Sequence, residues 1–447
     1  MQEHDPKTDF LSNLVAKACK SGADSADAIM FDSQSLSVSW RLGKQEGVER
    51  EESKALGLRV LVDKGQAIVS STDWQSSTLH DLVERAITMA RNAPEDPYCE
   101  IPSPLLSEPP RLDLELFDSV EISATELFEL VEETEDAARA VHGITNSEGA
   151  EASASRSRIT LANGTDFAEE YSVTSFGVSV SVIAGQDTEM EREYEYSSAR
   201  HFEDLMPPSE IGQIAGKKAV ARLKPRKVKS QQVPVVFDPR LSGGLPRLLS
   251  GLISGASIAR GTSVLKGKLM QKIFPSSVGI CDDPHRLRGL GSRPFDAEGL
   301  TGKAINIIDE GMLTTWLLDT RSANQLGLDS TAHAVRGTSS APSPGPSNLY
   351  MMAGDLSKDD LIAGINNGFY VTEMMGMSFN GLTGDYSRGA SGFWIDNGTI
   401  TFPVNEMTVA GNVVDMFAHS TPANDLRFRY ATNAPTTRVD GMTVAGT

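Results

Sequence analysis

The sequence predicts an α+β protein, with two related α+β units on the N-terminal side followed by a β-rich C-terminal domain. Three observations carry that expectation. Amphipathic helical segments alternate with strand-like segments up to residue 228, and beyond it the chain is dense in glycine and short strands. A chain of 447 residues exceeds one ordinary core, so two or three domains are expected. The third is an internal echo: LGLRVLVDKGQAIVSS (56–71) and FGVSVSVIAGQDTEME (176–191) share a glycine, an alternating strand, a Gly-Gln turn and a return strand. A helix follows each, as duplication would leave it.

The elements follow in order. Residues 7–20 place Phe10, Leu11, Leu14, Val15 and Ala18 at helical spacing. ADAIMFD, SLSVSWRL and ALGLRVLVDKGQAIVSS read as strands, the last turning at Lys64-Gly65. LHDLVERAITMARNA is a helix with Leu79, Leu82, Val83, Ala86 and Ile87 on one face. Six prolines between 94 and 112 mark a linker or covering arm. Between 100 and 152 fourteen Asp and Glu face two Arg; much of this stretch is one helix, whose acidic residues are expected on its solvated face. That helix opens on a capping box, Ser123 to Glu126, and its apolar face is Leu127, Leu130, Val131, Ala138 and Val141.

Strands resume through 153–185, with a turn at Asn163-Gly164, and EIGQIAGKKAVARL is the next helix. QQVPVVFDP is a strand. SGGLPRLLSGLISGASIARG is predicted as one helix, burying Leu245, Leu248, Leu249, Leu252 and Ile253, with Gly251 and Gly255 admitting a close neighbour on the other side. Asp309-Glu-Gly311 and Asp396-Asn-Gly398 are hairpin turns. The boundaries expected are 1–95 for the first unit, 96–112 for the Pro-rich linker, 113–228 for the second unit and 230–447 for the β-rich domain.

Composition excludes several function classes. The chain is 39% hydrophobic and 23% charged, ordinary for a soluble globular protein. Its net charge of -19 repels phosphate backbones. Basic residues concentrate only at 217–229 (KKAVARLKPRKVK), where no aromatic residue interleaves, so a solvated helix end and linker is favoured over a nucleic-acid patch. Cys19, Cys99 and Cys281 are far apart and odd in number, which fits a reducing cytoplasm. The N-terminal residues show no signal pattern, and no run approaches the ~18 apolar residues of a membrane span.

Few residues suggest chemistry. Ser263 and Lys266 have Ser-x-x-Lys spacing, which on a helix would set an amine beside a hydroxyl. The companion Ser-Asp-Asn and Lys-Thr-Gly motifs are absent, and so are a nucleophile elbow, a Walker loop and a G-x-G-x-x-G. No two of the seven histidines lie within a turn of each other. Cys281-Asp-Asp-Pro-His285 gathers ligand types, yet Asp-Asp-Pro is also turn sequence, and the turn is favoured. The densest polar-glycine stretch, 380–397, holds Asp385, Tyr386, Ser387, Arg388 and Gly389 as a loop. It could face a ligand or partner, or be a hairpin corner with a structural Asp-Arg pair.

The segments SRPFDAEGLTGKAINIIDEGMLTTWLLDTRSANQLGLDSTAHA, GFYVTEMMG, GDYSRGASGFWIDNGTITFPVNEMTVAGN and DGMTVAG resemble the TldD/PmbA family, and within it the PmbA (TldE) branch. The resemblance runs from about residue 25 to the end. It implies an α+β cytoplasmic protein that forms half of a heterodimeric metallopeptidase with a TldD-type protein, or a homodimer when isolated. It also implies unfolded or ribosomal peptides as substrates, in peptide maturation and antitoxin proteolysis. The family carries a second label, modulator of DNA gyrase.

The metal-bearing branch has H-E-x-x-x-H on the helix before a Gly-Thr-Ser, plus a cysteine near the C-terminus. Here those positions fall on Pro246, Arg247 and Gly251, with Ser250 and Ser254 nearby, and LRFRYATNAPTTRVDGMTVAG holds no cysteine. The resemblance therefore implies no catalytic residue, metal ligand or cofactor in this chain, and a zinc or similar divalent metal in the partner. Two readings follow from the resemblance, a peptidase subunit and a gyrase-modulating interaction protein; the Ser263 and Lys266 spacing leaves a remote third, a Ser-Lys hydrolase. In the first, residues 385–389 would lie near a shared substrate chamber.

Overall fold

The computed structural model describes residues 6–102, 112–164 and 167–446. Most of the Pro-rich stretch, 103–111, thus lies outside the described residues. The first unit is α1 (Pro6–Lys20), β1 (Ser25–Arg41), β2 (Lys44–Val62), β3 (Gly65–Ser71) and α2 (Ser76–Asn92). The second repeats the order with α3 (Ala124–Arg139), β4 (Ile144–Asn163), β5 (Ala168–Ala184), β6 (Glu191–Ala199) and α4 (Pro208–Ala221). The echo in sequence is thus an echo in fold. The Gly-Gln pairs do different work, however. The first hairpin turns on Asp63 and Lys64, and Gly65 opens the return strand, where a Cβ would lie 2.0 Å from Ala90 O. Gly185, at φ 82°, enters a longer connection.

The two units share one antiparallel sheet of order β3-β2-β1-β4-β5-β6, joined by pairing of β1 with β4 from Asp27↔Asn163 to Trp40↔Ala150. Alternation sets its faces. Ala26, Ala28 and Met30 of β1 pack under α1 and α2, and Val38 and Trp40 pack under α3 and α4. The capping box forms: Ser123 Oγ accepts from Glu126 N, and Ser123 N donates to Glu126 Oε2 at 2.7 Å. Helix α4 lies close on α3 because Gly212 and Gly216 remove the side chains between them, and a Cβ on Gly212 would sit 2.2 Å from Thr134 O. On the other sheet face Ile29, Ile159, Leu161 and Phe167 pack against Phe295 of the β-rich domain.

A buried ionic network crosses that contact. Asp27 pairs with Arg59 and with Arg336, and Arg59 Nη1 lies 3.9 Å from Glu298 Oε1. Glu298 Oε2 accepts from Thr320 N at 2.9 Å and from Thr320 Oγ1 at 2.7 Å. Burial, reinforced by the Asp296 carboxylate, pushes the Glu298 carboxyl up to about 7, and Arg59 only partly offsets this.

The β-rich domain is built on β7 (Gln231–Phe237), flanked by Asn367–Phe379 in parallel and Thr437–Ala445 antiparallel. Asp385–Asp396 and Thr399–Asn412 continue from Asn367–Phe379. Thr399–Asn412 also pairs with Thr437–Ala445, so five strands close on themselves around Phe369, Trp394, Val409, Val439 and Val444. A second sheet contains Ile280–Asp282, Ile305–Asp309 and Leu349–Met351. Both predicted hairpins are two-residue turns with positive φ at Glu310, Gly311, Asn397 and Gly398.

Two expectations are corrected here. The single helix expected over 242–261 is broken, and the region forms three short helices, Pro239–Ser242, Gly244–Leu252 and Gly255–Arg260. The chain leaves the helical path at Ser254, ψ 126°, because Gly255 N bonds Leu317 O at 2.8 Å. Gly255 does admit a close neighbour, as a Cβ there would meet Ser322 Oγ at 2.4 Å, but Gly251 faces open space. Residues 385–389 are not a loop. They begin strand Asp385–Asp396, held between Asn367–Phe379 and Thr399–Asn412.

Candidate functional site

The helix and the loop singled out by the resemblance lie together. Helix Gly244–Leu252 buries Leu245, Pro246, Leu249, Ser250 and Leu252, while Arg247 and Gly251 face outward. A Cβ on Gly243, just before it, would lie 3.1 Å from Thr432 O. The loop through 425–436 is braced internally. Asp425 accepts from Thr436 N at 2.8 Å and Thr436 Oγ1 at 2.7 Å. Asn433 Oδ1 accepts from Arg429 N and Tyr430 N, at 2.9 and 3.0 Å.

These positions do not fit a metal ion. Pro246 has no donor, Arg247 is a cation, Gly251 has no side chain, and the loop offers no sulfur or imidazole. Among the described residues no three His, Cys, Asp or Glu side chains gather as a metal would require.

A charged cleft of about 270 Å³ opens beside the loop, between β6 and α4 on one side and the β-rich domain on the other. Outside the lining, but linked to it through Glu193, Arg222 is buried against Glu191 and Glu193, both at 3.1 Å, and Glu373 at 2.6 Å. Burial disfavours this guanidinium, but the three carboxylates outweigh that and hold its pKa above the ordinary arginine value. Beside it Arg240 lies 3.6 Å from Glu193 Oε2 and donates through Nη1 to Tyr194 O at 3.2 Å.

The floor is Tyr370, whose Oη donates to Asp238 Oδ2 at 2.7 Å and accepts from Lys358 Nζ at 2.9 Å. Burial, with the Asp238 carboxylate, pushes that phenol far above its usual range, so it stays a donor at all working pH. From the loop, Tyr430, which packs on Tyr196 at 5.4 Å, lines the cleft together with Arg427 and Arg429.

The residues proposed from sequence fare unequally. Asp385 is exposed and accepts from Thr383 Oγ1 at 2.7 Å, while Arg388 Nε donates to Gly376 O at 2.8 Å, so each has a partner other than the other. Burial pushes the Tyr386 phenol up to about 12, partly offset by Arg388. The adjoining turn packs on the far end of the helix, since a Cβ on Gly381 would lie 3.6 Å from Leu252 Cδ2. The five residues therefore sit toward that end, and the cleft toward the other.

Ser263 is buried, accepts from Leu265 N at 3.1 Å and lies in a turn, and Lys266 is exposed, so the same-face helix that Ser-Lys chemistry needs is absent. Asp283 Oδ1 accepts from His285 N at 2.9 Å, the turn that was favoured. Asp282 instead faces His333 at 3.1 Å and Ser347 N at 2.8 Å. Burial pushes the Cys281 thiol up and the His285 imidazole down. Much of the basic run is spent in pairs: Lys218 with Glu195 at 2.5 Å, Arg222 as above, Lys227 with Glu406, and Arg226 over the Phe402 ring at 4.6 Å.

Sequence reasoning missed Asp238, Arg240, Lys358 and Tyr370. The one local signal was the alternation Arg427-Phe428-Arg429-Tyr430, read only as a segment without cysteine.

The order of domains, the shared sheet and the closed barrel invite comparison with known proteins. Three consecutive family descriptions match: PmbA/TldA metallopeptidase domain 1 over residues 26–90, central domain over 117–223 and C-terminal domain over 230–446. The chain is 35% identical over 427 residues to the metalloprotease PmbA of Escherichia coli O157:H7, covering 95% of this chain and 93% of that one. The chain belongs to the PmbA/TldD family.

A PmbA homologue of Haemophilus influenzae is 33% identical over 438 residues, covering 98% of this chain and 95% of that one. Among solved structures, a protein of Bacteroides thetaiotaomicron labelled a modulator of DNA gyrase superposes with TM-score 0.89 at 26% identity, covering all of both chains. TldE of Thermococcus kodakarensis superposes at 0.86 with 20% identity, covering 98% of this chain and 100% of that one, a likeness of fold. Among the described residues no helix is long and apolar enough to cross a membrane.

Proposed function

We propose that this chain is the PmbA/TldE-type subunit of a cytoplasmic metallopeptidase whose metal and base reside on a TldD-type partner. The observation that carries this reading is the pairing of helix Gly244–Leu252 with the 425–436 loop, stripped of ligands, in a chain 35% identical to a metalloprotease PmbA. Zinc or a similar divalent ion would activate water on the partner; this chain would complete the chamber and hold unfolded or ribosomal peptides. Asp385, Tyr386, Ser387, Arg388 and Gly389 would line that chamber, so Asp385→Ala or Arg388→Ala would lower the activity of the assembled complex.

The test is peptide hydrolysis by the chain alone and mixed with a TldD protein from the same cell, each with and without chelator. Activity only in the mixture, lost with chelator, is expected. Chelator-sensitive activity in the chain alone would overturn the division of labour. A second reading, an interaction protein acting on gyrase, draws on the label of the Bacteroides structure. With a net charge of -19 it would bind a basic protein rather than duplex DNA. A salt-sensitive complex with gyrase formed without any TldD protein would favour it.

A further inference from the structure

We infer that the cleft between α4, β6 and the 425–434 loop binds the C-terminal carboxylate of a peptide, so that this chain fixes one end of the substrate. The inference rests on the peptidase reading for its ligand class and on the cleft for the rest.

The charge of the cleft opposes that of the molecule. Five cations line it, Lys218, Arg240, Lys358, Arg427 and Arg429, against three carboxylates, in a protein of net charge -19. Two of the cations are committed, Lys218 to Glu195 and Arg240 to Glu193 and Asp238. Lys358, Arg427 and Arg429 have no carboxylate within 4.0 Å among the described residues, and Lys358 is aimed by its bond to Tyr370 Oη. The carboxylates are spent as well. Asp425 holds Thr436, and Asp238 accepts from Tyr370 and from the Arg240 amide at 3.0 Å. What remains free is a set of cationic donors suited to one oxyanion.

Size and lining narrow the ligand. At about 270 Å³ the cleft falls just below the ~300 Å³ at which pockets for whole drug-sized ligands begin, so a chain end enters rather than a complete molecule. Ile214, Ala434 and the rings of Tyr370 and Tyr430 flank the cations, giving a terminal side chain an apolar wall beside its carboxylate. The net excess of two positive charges, five minus three, calls for an anion, and the apolar wall, which a bare phosphate would leave unused, favours a carboxylate carried on a side-chain-bearing residue.

The experiment is fluorescence anisotropy of the full chain with one labelled pentapeptide, made as free acid and as C-terminal amide. The acid is expected to bind about tenfold tighter or more, the scale of a charge-assisted hydrogen bond, and Arg427→Gln with Arg429→Gln is expected to bring it down to the amide. Lys358→Met serves as an independent variant that leaves the loop intact, and unchanged melting shows each variant folded. Equal binding of acid and amide overturns the proposal, as does binding of neither. Displacement by inorganic phosphate at lower concentration than acetate also overturns it, pointing to a phosphate site. Variants that weaken acid and amide alike reduce the cleft to a structural feature. Hydrolysis plays no part in this readout, so a negative result would leave the division of labour with the partner standing.

Discussion

Replacing Glu298 by glutamine should stabilise the protein at alkaline pH and do nothing at acid pH. The Glu298 side chain is 1% exposed, at the contact between the N-terminal sheet and the β-rich domain. Its carboxyl titrates at about 7 in the folded chain, against an ordinary 4.5. Below about 4.5 folded and unfolded states both hold the proton, so there is no pH dependence from this group. Between 4.5 and 7 the unfolded chain has lost the proton that the folded chain keeps, so stability falls as pH rises; above 7 it levels off.

At about 1.36 kcal/mol per pH unit, the full loss is about 3 kcal/mol. Glutamine mimics the protonated acid, and its carbonyl still accepts from Thr320 N and Oγ1. The assay is urea unfolding at pH 5 and pH 8, read by tryptophan fluorescence, since Trp316 and Trp394 are both buried in the β-rich core. Glu298→Gln should lie within about 1 kcal/mol of wild type at pH 5 and exceed it by up to about 3 kcal/mol at pH 8. A variant weaker than wild type at pH 8, with an unchanged pH slope, would mean that Glu298 is ionised and that Arg59 and Arg336 outweigh burial.

Arg222→Met leaves Glu191 and Glu193 buried without their shared cation, and should cost about 3–5 kcal/mol, the range for breaking a buried pair. The loss should be smaller at pH 5 than at pH 8, because protonating the stranded carboxylates relieves it, and Arg222→Lys should recover only part of it; urea midpoints at the two pH values check both. Ser263→Ala should leave hydrolysis by the partnered complex unchanged while lowering stability by about 1 kcal/mol through the lost Leu265 bond. Abolished activity in a folded variant would restore a nucleophilic role.

Much of the architecture was legible because it is locally encoded. The faces of α1, α2 and α3, the capping box at Ser123 and the two-residue turns at Glu310-Gly311 and Asn397-Gly398 each follow from residues a few positions apart. The break at Ser254 was not, since a hydrogen bond from Leu317 decides it. The 385–389 segment is glycine-rich enough to read as a loop, yet both flanks are occupied by strands that sequence does not reveal. The site was legible only as a subtraction, the ligands a related branch would have. The cleft gathers residues from 195 to 434, and no local pattern ties Lys358 to Arg429.

The closed barrel has a consequence for how the chain matures. Its earliest strand, β7, lies directly beside one of its latest, Thr437–Ala445, and that late strand also seals Thr399–Asn412. While it is still being synthesised, the domain presents two unpaired edges flanking an exposed apolar lining, the arrangement most open to wrong pairing with another chain. Some two hundred residues must wait for a single strand to arrive. Nascent chains stalled short of residue 437 should accordingly be protease-sensitive and held by chaperones, and release of that one strand should bring them to the native state together.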